Sequence, residues 1–182
     1  MEISEIKVNE HITLRQIARS DAADIFYTIK SQRSYLITWL PFVAWTSKIS
    51  DTEAFIDHVQ NTTEDKAEPV FVIRFDDEFA GIIGFKDTDR INKKTEIGYW
   101  LSESFQKKGI ITLSLKELLK LAFEKMKINR VQIRCAVGNT ASSKIPRRLG
   151  FKLEGIEREG ELLSNGKFAN LEVYSLLNAE FK

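Results

Sequence analysis

The stretch from residue 96 to residue 151 decides the fold, and it reads EIGYWLSESFQKKGIITLSLKELLKLAFEKMKINRVQIRCAVGNTASSKIPRRLGF. A strand-like run ends at Leu101, a polar loop follows, and the run QKKG at 106–109 leads into a long amphipathic helix. A second strand over 130–137 completes a β-α-β unit. The first turn of a helix carries unpaired N–H groups and the positive end of the helix dipole, and both favour a bound phosphate. The unit therefore predicts a phosphate-bearing cofactor held between two parallel strands.

The size and charge of the chain narrow the classes of protein to which it can belong. Its 182 residues suffice for one compact domain over 1–182, and 43% hydrophobic residues lie in the globular range. The 27 Lys and Arg nearly balance the 26 Asp and Glu, which argues against a general nucleic-acid binder. The sequence has no apolar run of about 18 residues, so we expect no membrane span. No secretory signal opens the chain, so we expect a cytoplasmic protein.

Cysteine and histidine are scarce. Cys135 is the single cysteine, so we expect no intramolecular disulfide, and His11 and His58 are the two histidines. This set is too small and scattered to predict a metal site. We expect Cys135 to be a buried thiol in a strand rather than a nucleophile, because no histidine lies near it in sequence.

Hydrophobic patterning predicts the elements outside the β-α-β unit. We predict strands over 11–17, 70–75, 79–86, 95–101, 131–137, 151–161 and 168–176, and helices over 22–30, 31–40, 54–61, from 109 onward, and 140–149. The order β-α-α-α-β-β-β-α-β-α-β-β gives a mixed sheet with helices on its faces, in the α/β (α+β) class. In the helix after Lys108 we expect a core face of Ile110, Leu113, Leu118, Leu121 and Ala122.

Several motifs in this order resemble the GNAT superfamily of acyl-CoA N-acyltransferases. The run QKKGII at 106–111 resembles its cofactor loop, Q/R-x-x-G-x-G/A, and NTAS at 139–142 followed by LGF at 149–151 resembles its next element. EIGYWL at 96–101, YL at 35–36 and WLPF at 39–42 are most similar to the ribosomal-protein N-terminal (serine/alanine) acetyltransferase branch. The resemblance covers nearly the whole chain.

The resemblance implies a fold and a cofactor. The fold is a GNAT-like mixed, mostly antiparallel sheet with a central parallel β-α-β unit and helices on both faces. The co-substrate is acetyl-CoA, whose pantetheine arm lies where the two parallel strands splay apart, and we expect a bulge in the first strand to cause the splay. The implied cofactor-binding residues are Trp100, Leu101, Gln106, Lys107, Lys108, Gly109, Ile110, Ile111, Thr112, Asn139 and Ser142.

Two residues depart from the family pattern. Ile111 stands where Gly or Ala is usual, and its branched side chain could crowd the approach to the pyrophosphate. Pro146 lies inside the short helix over 140–149, where a proline removes one hydrogen bond, so we expect a kink or an irregular turn.

The implied reaction is direct attack of a primary amine on the thioester in a ternary complex. An α-amino group has a pKa of about 7.7–8.0, so a useful fraction is neutral at cell pH and one carboxylate can serve as base. Glu161 is the candidate, because the odd positions of its strand turn from apolar Phe151 and Leu153 to acidic Glu157 and Glu161. A solvated strand end is an equally good interpretation.

The developing oxyanion needs a donor, and a backbone N–H near Trp100 or Leu101 can supply it. Ser142 is the candidate proton donor to the leaving sulfur, and a helix cap is the alternative for both Ser142 and Asn139. The resemblance implies that the aromatic region at Tyr35, Trp39 and Phe42 walls the acceptor site.

The predicted acceptor is the N-terminal amine of a ribosomal protein, and this rests on the resemblance alone. A small amine such as a polyamine or an aminoglycoside is the first alternative. A CoA-binding module without catalysis is the second, and Ile111 and Pro146 favour it. A dinucleotide-binding enzyme would need G-x-G-x-x-G, of which the loop has Gly109 alone. The final hairpin could join two chains in a homodimer or a larger homo-oligomer.

Overall fold

The computed structural model describes residues 4–61 and 68–182. Eight strands form one sheet: β1 (Glu5–Lys7), β2 (Ile12–Gln16), β3 (Val70–Phe75), β4 (Glu78–Asp89), β5 (Lys94–Leu101), β6 (Arg130–Ala136), β7 (Lys152–Leu162) and β8 (Phe168–Leu177). Their order across the sheet is β1-β2-β3-β4-β5-β6-β8-β7. Among these strands only β5 and β6 pair in parallel, so the predicted mixed, mostly antiparallel sheet is confirmed.

Helices cover both faces of the sheet. They are α1 (Ala22–Ser31), α2 (Arg33–Leu36), α3 (Ile49–Gln60), α4 (Ile110–Lys120) and α5 (Thr140–Arg148). Because alternate strand residues point to opposite faces, Phe71 and Ile73 pack in a core with α4, whereas Val70 and Val72 pack in a second core with α1. The prediction of helices on both faces is confirmed.

The N-terminal region departs from the predicted elements in three ways. The helix predicted over 31–40 shortens to α2 and is followed by a 3₁₀ turn, Pro41–Ala44, because Pro41 disfavours a helical Leu40. Helix α3 begins earlier than predicted, where the Asp51 carboxylate accepts the Ser47 and Lys48 backbone N–H groups at 2.8 and 2.9 Å. Strand β1 was not predicted, since three residues carry little periodic signal.

Four of the five residues predicted for the core face are buried: Ile110 and Leu118 in α4, and Leu121 and Ala122 in the π-helical turn that follows it. The buried residues of α4 itself are Ile110, Ile111, Ser114, Leu115, Leu118 and Leu119. The prediction was wrong for Leu113, which is 40% exposed, because it lies on the far side of the helix from the middle of these buried residues. Ile111 is 6% exposed in the core, so its side chain turns away from the loop that it was expected to crowd.

Strands β5 and β6 pair only at their beginnings and then separate. The paired positions are Lys94 with Arg130, Thr95 with Val131 and Glu96 with Gln132. We call the gap between 97–101 of β5 and 133–136 of β6 the β5–β6 wedge. The expected bulge in β5 was wrong: its register with β4 is continuous from Glu96 to Leu101, and the extra residue lies on β4 between Lys86 and Asp89.

None of the helices in the described ranges is long and apolar enough to cross a membrane.

Candidate active site

Backbone groups line the β5–β6 wedge. The Ser102 N–H bonds the Ala80 carbonyl of the neighbouring β4 side at 2.8 Å. Since antiparallel hydrogen bonds alternate along a strand, the Trp100 N–H also faces β4, and the N–H groups of Tyr99 and Leu101 face the wedge. Leu101, rather than Trp100, therefore presents a backbone donor at the open end of β5.

The start of α4 lies directly after β5 and its loop. Lys107 and Gly109 both have positive φ, 62° and 75°, and they turn the chain into the helix. The first intrahelical bond runs from the Leu113 N–H to the Gly109 carbonyl at 3.0 Å, so the N–H groups of Ile110 and Thr112 point ahead of the helix. A Cβ at Gly109 would meet no atom within 4 Å, so the approach to these groups is open. This geometry suits an anionic group such as a pyrophosphate.

The two lysines of the loop lie in different surroundings. Lys107 is exposed. The Lys108 ammonium lies 4.6 Å from the centroid of the Phe75 ring and 5.4 Å from that of Phe105, so it already makes cation–π interactions with these two rings. Lys107 is therefore the better placed of the two for a phosphate.

The polar loop is fastened to the N-terminal helices. Gln32 donates from Nε2 to Ser102 Oγ at 2.9 Å and accepts the Glu103 N–H at 2.8 Å. Gln106 donates from Nε2 to the Tyr35 hydroxyl. Tyr35, predicted to contact the acceptor, thus supports the loop and does not line the cavity described next.

A cavity of about 770 Å³ extends from the wedge to the N-terminal helices. Trp39 and Phe42 line it, as do Trp100, Asn139, Ser142 and Glu161. Its aromatic side also includes Trp45, which is 79% exposed. The cavity therefore brings together both predicted catalytic residues and two of the three predicted acceptor residues.

Glu161 reaches the cavity through an irregular part of β7. From Glu157 to Glu161 strand β7 advances four residues while its partner β8 advances two, so β7 contains a bulge. Glu159, within this bulge, has a positive φ of 54°. The predicted alternation was therefore wrong, and Leu153 on the supposed core face is 50% exposed. Glu161 is half-buried, and this burial raises the pKa of its carboxyl above the ordinary value, although Lys86 and Arg134 act against the shift.

A charged cluster beside Glu161 was missed in the sequence. Glu96 is 4% exposed and lies between two cations: Arg134 Nε at 2.6 Å and Lys86 Nζ at 2.9 Å. All three line the cavity. The signal was a glutamate at the last paired position of two central parallel strands, where a buried charge needs charged or hydrogen-bonding partners.

Ser142 also lines the cavity and lies at the start of α5. Asn139 caps this helix by accepting the Ser142 N–H at Oδ1, 3.3 Å away. Ser142 Oγ lies 3.2 Å from Cys135 Sγ and donates to the Tyr99 hydroxyl at 3.3 Å. Cys135 is buried as predicted, and burial raises the pKa of its thiol to about 11, so it stays protonated at neutral pH.

The irregular turn expected at Pro146 was wrong, since α5 continues through it from Thr140 to Arg148.

In the ranges 4–61 and 68–182, no group of three or more His, Cys, Asp or Glu residues could hold a metal ion.

Known proteins share this arrangement of sequence and fold. Residues 11–152 match the family model of the acetyltransferase (GNAT) domain. The chain belongs to the GNAT acetyltransferase family. It is 38% identical over 178 residues to the putative ribosomal N-acetyltransferase YdaF of Bacillus subtilis, covering 97% of this chain and 96% of that protein.

Two solved structures are close in fold as well as in sequence. The microcin C7 self-immunity acetyltransferase MccE, in complex with acetyl-CoA and AMP, superposes with a TM-score of 0.90 at 32% identity, covering 96% of each chain. The ribosomal L7/L12 alpha-N-protein acetyltransferase RimL, in complex with coenzyme A in a disulfide with one of its cysteines, gives 0.89 at 29% identity, covering 95% of this chain and 97% of that one.

These likenesses confirm the predicted family, fold, enzyme class and co-substrate: the chain is an acetyl-CoA-dependent N-acetyltransferase. The roles of individual residues stay predictions.

Proposed function

We propose that this enzyme transfers acetyl from acetyl-CoA to the N-terminal amine of a protein, and that a ribosomal protein is the acceptor. The observation that carries the proposal is that one cavity, beside the β5–β6 wedge, is lined by both Glu161 and Ser142. The names of YdaF and RimL support the ribosomal acceptor.

The chain offers acetyl-CoA a continuous set of contacts. The N–H groups at the start of α4, from Ile110 to Thr112, bind the pyrophosphate, with Gly109 keeping the approach open and Lys107 adding charge. The pantetheine arm pairs with the backbone of Tyr99 and Leu101 as an added strand. Gln106, Lys108 and Trp100 shape the loop and the wedge, and Asn139 holds the start of α5.

Glu161 and Ser142 divide the proton transfers. Acetyl-CoA supplies an activated acetyl group as a thioester. The amine nitrogen forms a bond to the carbonyl carbon as the carbon–sulfur bond breaks, and the Leu101 N–H stabilises charge on the carbonyl oxygen. Glu161 accepts the proton that the amine loses, directly or through a water, and then releases it to solvent. Ser142 donates a proton to the departing sulfur and regains one from solvent, so the products are the amide and the free thiol.

The position of Cys135 supports this assignment of Ser142. In the RimL complex, coenzyme A is joined to a cysteine by a disulfide, so its sulfur lies at a cysteine. Cys135 is the single cysteine here, lines the cavity, and lies 3.2 Å from Ser142 Oγ. A coenzyme A sulfur near Cys135 would be within reach of the Ser142 hydroxyl.

An amine attached to a nucleotide is a second candidate acceptor. MccE binds AMP beside acetyl-CoA. Trp45 and Phe42 expose 79% and 40% of their surface at the cavity, and aromatic rings of this kind can stack on a nucleobase.

The test is incubation with labelled acetyl-CoA and four acceptors: peptides beginning with Ser or Ala, the same peptides with a blocked N-terminus, spermidine, and an aminoacyl adenylate analogue. Label on the free peptides and not on the blocked ones supports the proposal. If only spermidine or only the adenylate analogue is labelled, the acceptor is a small amine or a nucleotide-linked amine, and the proposed protein acceptor is wrong. Tight acetyl-CoA binding with no transfer would favour a binding module.

We further infer that residues 1–182 act as one domain and that the protein works in the cytoplasm. We also infer that the β7–β8 hairpin forms a contact between two copies of the chain. Support for the contact is the apolar surface on this hairpin, where Ile156 is 49%, Leu162 53% and Phe168 61% exposed, at the edge of the sheet. Sedimentation of the wild type and of Phe168→Ser tests it, and a monomeric wild type contradicts it.

A further inference from the structure

Pro146 creates a defect inside α5 that another element repairs. In an α-helix the N–H of each residue bonds the carbonyl four residues earlier, so a residue with an N–H at 146 would bond the Ser142 carbonyl. Proline has no N–H, so this bond is missing. The Tyr99 hydroxyl, from β5, donates to the same Ser142 carbonyl at 3.2 Å. A side chain from across the wedge thus takes the place of a helix backbone donor.

This bond also settles the direction of the neighbouring hydroxyl. A phenol has one hydrogen to donate, and Tyr99 uses it on the Ser142 carbonyl. The second bond between the two residues, 3.3 Å long, is therefore donated by Ser142 Oγ to the tyrosine oxygen. Burial raises the pKa of Tyr99, so the phenol keeps its proton. In this arrangement the Ser142 hydrogen points to the tyrosine oxygen, and Ser142 Oγ lies 3.2 Å from Cys135 Sγ, on the side where the leaving sulfur is expected.

We propose that Tyr99 is a positioning residue that holds Ser142 Oγ in place until the serine hydrogen turns from the tyrosine oxygen to the leaving sulfur, and that Pro146 makes the enzyme depend on Tyr99. The inference rests on the proposed role of Ser142. Tyr99 stands on the β5 side of the wedge and Ser142 at the start of α5, beyond the end of β6. The bond therefore ties the two sides of the wedge at the level of the reacting sulfur.

Because Tyr99 takes the place of the backbone donor that Pro146 lacks, a second substitution at Pro146 should partly reverse the effect of losing the Tyr99 hydroxyl. Tyr99→Phe removes both bonds to Ser142 and leaves the ring, so kcat should fall at least tenfold, as expected for loss of one or two hydrogen bonds of about 1 kcal/mol each. KM and Kd for acetyl-CoA should not change. Pro146→Ala returns an N–H to the Ser142 carbonyl but not a partner to the Ser142 hydroxyl, so the double variant Tyr99→Phe/Pro146→Ala should recover part of the lost kcat. Tyr27→Phe, at a tyrosine 59% exposed on α1, is the matched control and should behave as wild type.

The wild type, Tyr99→Phe, Pro146→Ala and the double variant are unfolded in urea. We expect Tyr99→Phe to lower the unfolding midpoint more in the wild-type background than in the Pro146→Ala background. Unchanged kcat in Tyr99→Phe, or a double variant no better than the single one, overturns the inference while leaving the acetyl transfer of the wild type intact. A wild type inert toward every acceptor instead defeats the proposed function, and equal midpoint shifts in both backgrounds would then overturn the Tyr99–Pro146 coupling as well.

Discussion

At the scale of single residues, the site depends on a carboxylate that is partly removed from water. Glu161 lies half-buried near the Glu96–Arg134–Lys86 cluster, where burial raises the pKa of its carboxyl and the two cations limit the rise. A base with a raised pKa accepts a proton more readily than an ordinary carboxylate. Its environment therefore fits the role proposed for it.

Glu161→Gln should lower kcat roughly a hundredfold, the order of a general-base contribution. In the wild type, activity should fall with decreasing pH as both Glu161 and the acceptor amine take up protons, giving an acid limb with a slope of about two. The variant should keep the amine limb alone, with a slope of about one. Glu159→Gln, at an exposed position of the same strand, is the control. A wild-type slope and rate in Glu161→Gln would remove this residue from the mechanism.

Ser142→Ala should lower the chemical step about tenfold to a hundredfold and leave acetyl-CoA affinity unchanged. The helix start should survive, because Asn139 supplies the cap through its own side chain. Single-turnover kinetics and calorimetry measure the two quantities. Weaker binding at an unchanged chemical step would assign Ser142 to the cofactor site only.

Which residues could be predicted depended on the range of their contacts. Gly109, Ser142 and Asn139 follow from local motifs, because caps and tight turns involve near neighbours in sequence. Glu96 and the tie between Tyr35 and Gln106 could not, since their partners lie 38 and 71 positions away. The Glu161 prediction reached the cavity through a wrong alternation argument, because a bulge changes which side of a strand a residue faces.

At the scale of elements, the turn into α4 is the part most sensitive to a single substitution. Gly109 has φ of 75°, and an alanine there would find open space but a strained backbone costing about 1–2 kcal/mol. Gly166, in the β7–β8 turn, has φ of 78° and equally open surroundings. An alanine at either position would therefore strain the backbone by a similar amount, once at the start of α4 and once in the β7–β8 turn.

Gly109→Ala and Gly166→Ala should lower the free energy of unfolding by similar amounts, whereas only Gly109→Ala should weaken acetyl-CoA binding, by about tenfold. Thermal unfolding and calorimetry separate the two effects. Equal affinities in both variants would show that the start of α4 does not hold the cofactor.

One of the ion pairs between β6 and β7 gives a pH test of stability. Arg130 of β6 makes a bidentate pair with Glu154 of β7 at 2.5 Å for each bond, and Ser175 of β8 donates to the same carboxylate at 2.8 Å. These contacts, led by Arg130, lower the pKa of Glu154 to about 2. A carboxyl with a lowered pKa stabilises the fold above its unfolded pKa, and this contribution is lost as pH falls toward the folded value.

Glu154→Gln should therefore be less stable than wild type at pH 7 by about 0.5–1 kcal/mol, a modest amount because the carboxylate is 44% exposed. The difference should shrink below pH 4.5, and urea unfolding between pH 7 and 3 measures it. The exposed Glu78→Gln should show no such trend. A constant difference across this range would mean that the ion pair does not couple to pH.

Element existence could be predicted better than element shape. Hydrophobic periodicity indicates the β-α-β unit, and the two-residue turn Asp76–Asp77 indicates the β3–β4 hairpin. Both turn residues have positive φ. Strand β1 depends on the strand that pairs with it, as in the pairing of Glu5 with Arg15. The early start of α3 depends on one side chain, Asp51, which accepts the backbone N–H groups of Ser47 and Lys48. Patterns over a few residues do not carry that information.

At the scale of the whole molecule, the single parallel pair of the described strands opens at the centre of the sheet. Helix α4 covers one face and α1 to α3 the other, so the opening leads from the start of α4 to the aromatic cavity. Such crevices beyond paired strand ends are common ligand sites in sheets of this kind. The central claim is that acetyl-CoA binds along this opening with its sulfur toward Ser142.

Hydrogen exchange of backbone amides with and without coenzyme A tests that claim most directly. Coenzyme A should slow exchange at Tyr99, Leu101 and 110–112, and leave β1 and β2 unchanged. Binding with no protection at these amides, or with protection confined to other elements, would contradict the account.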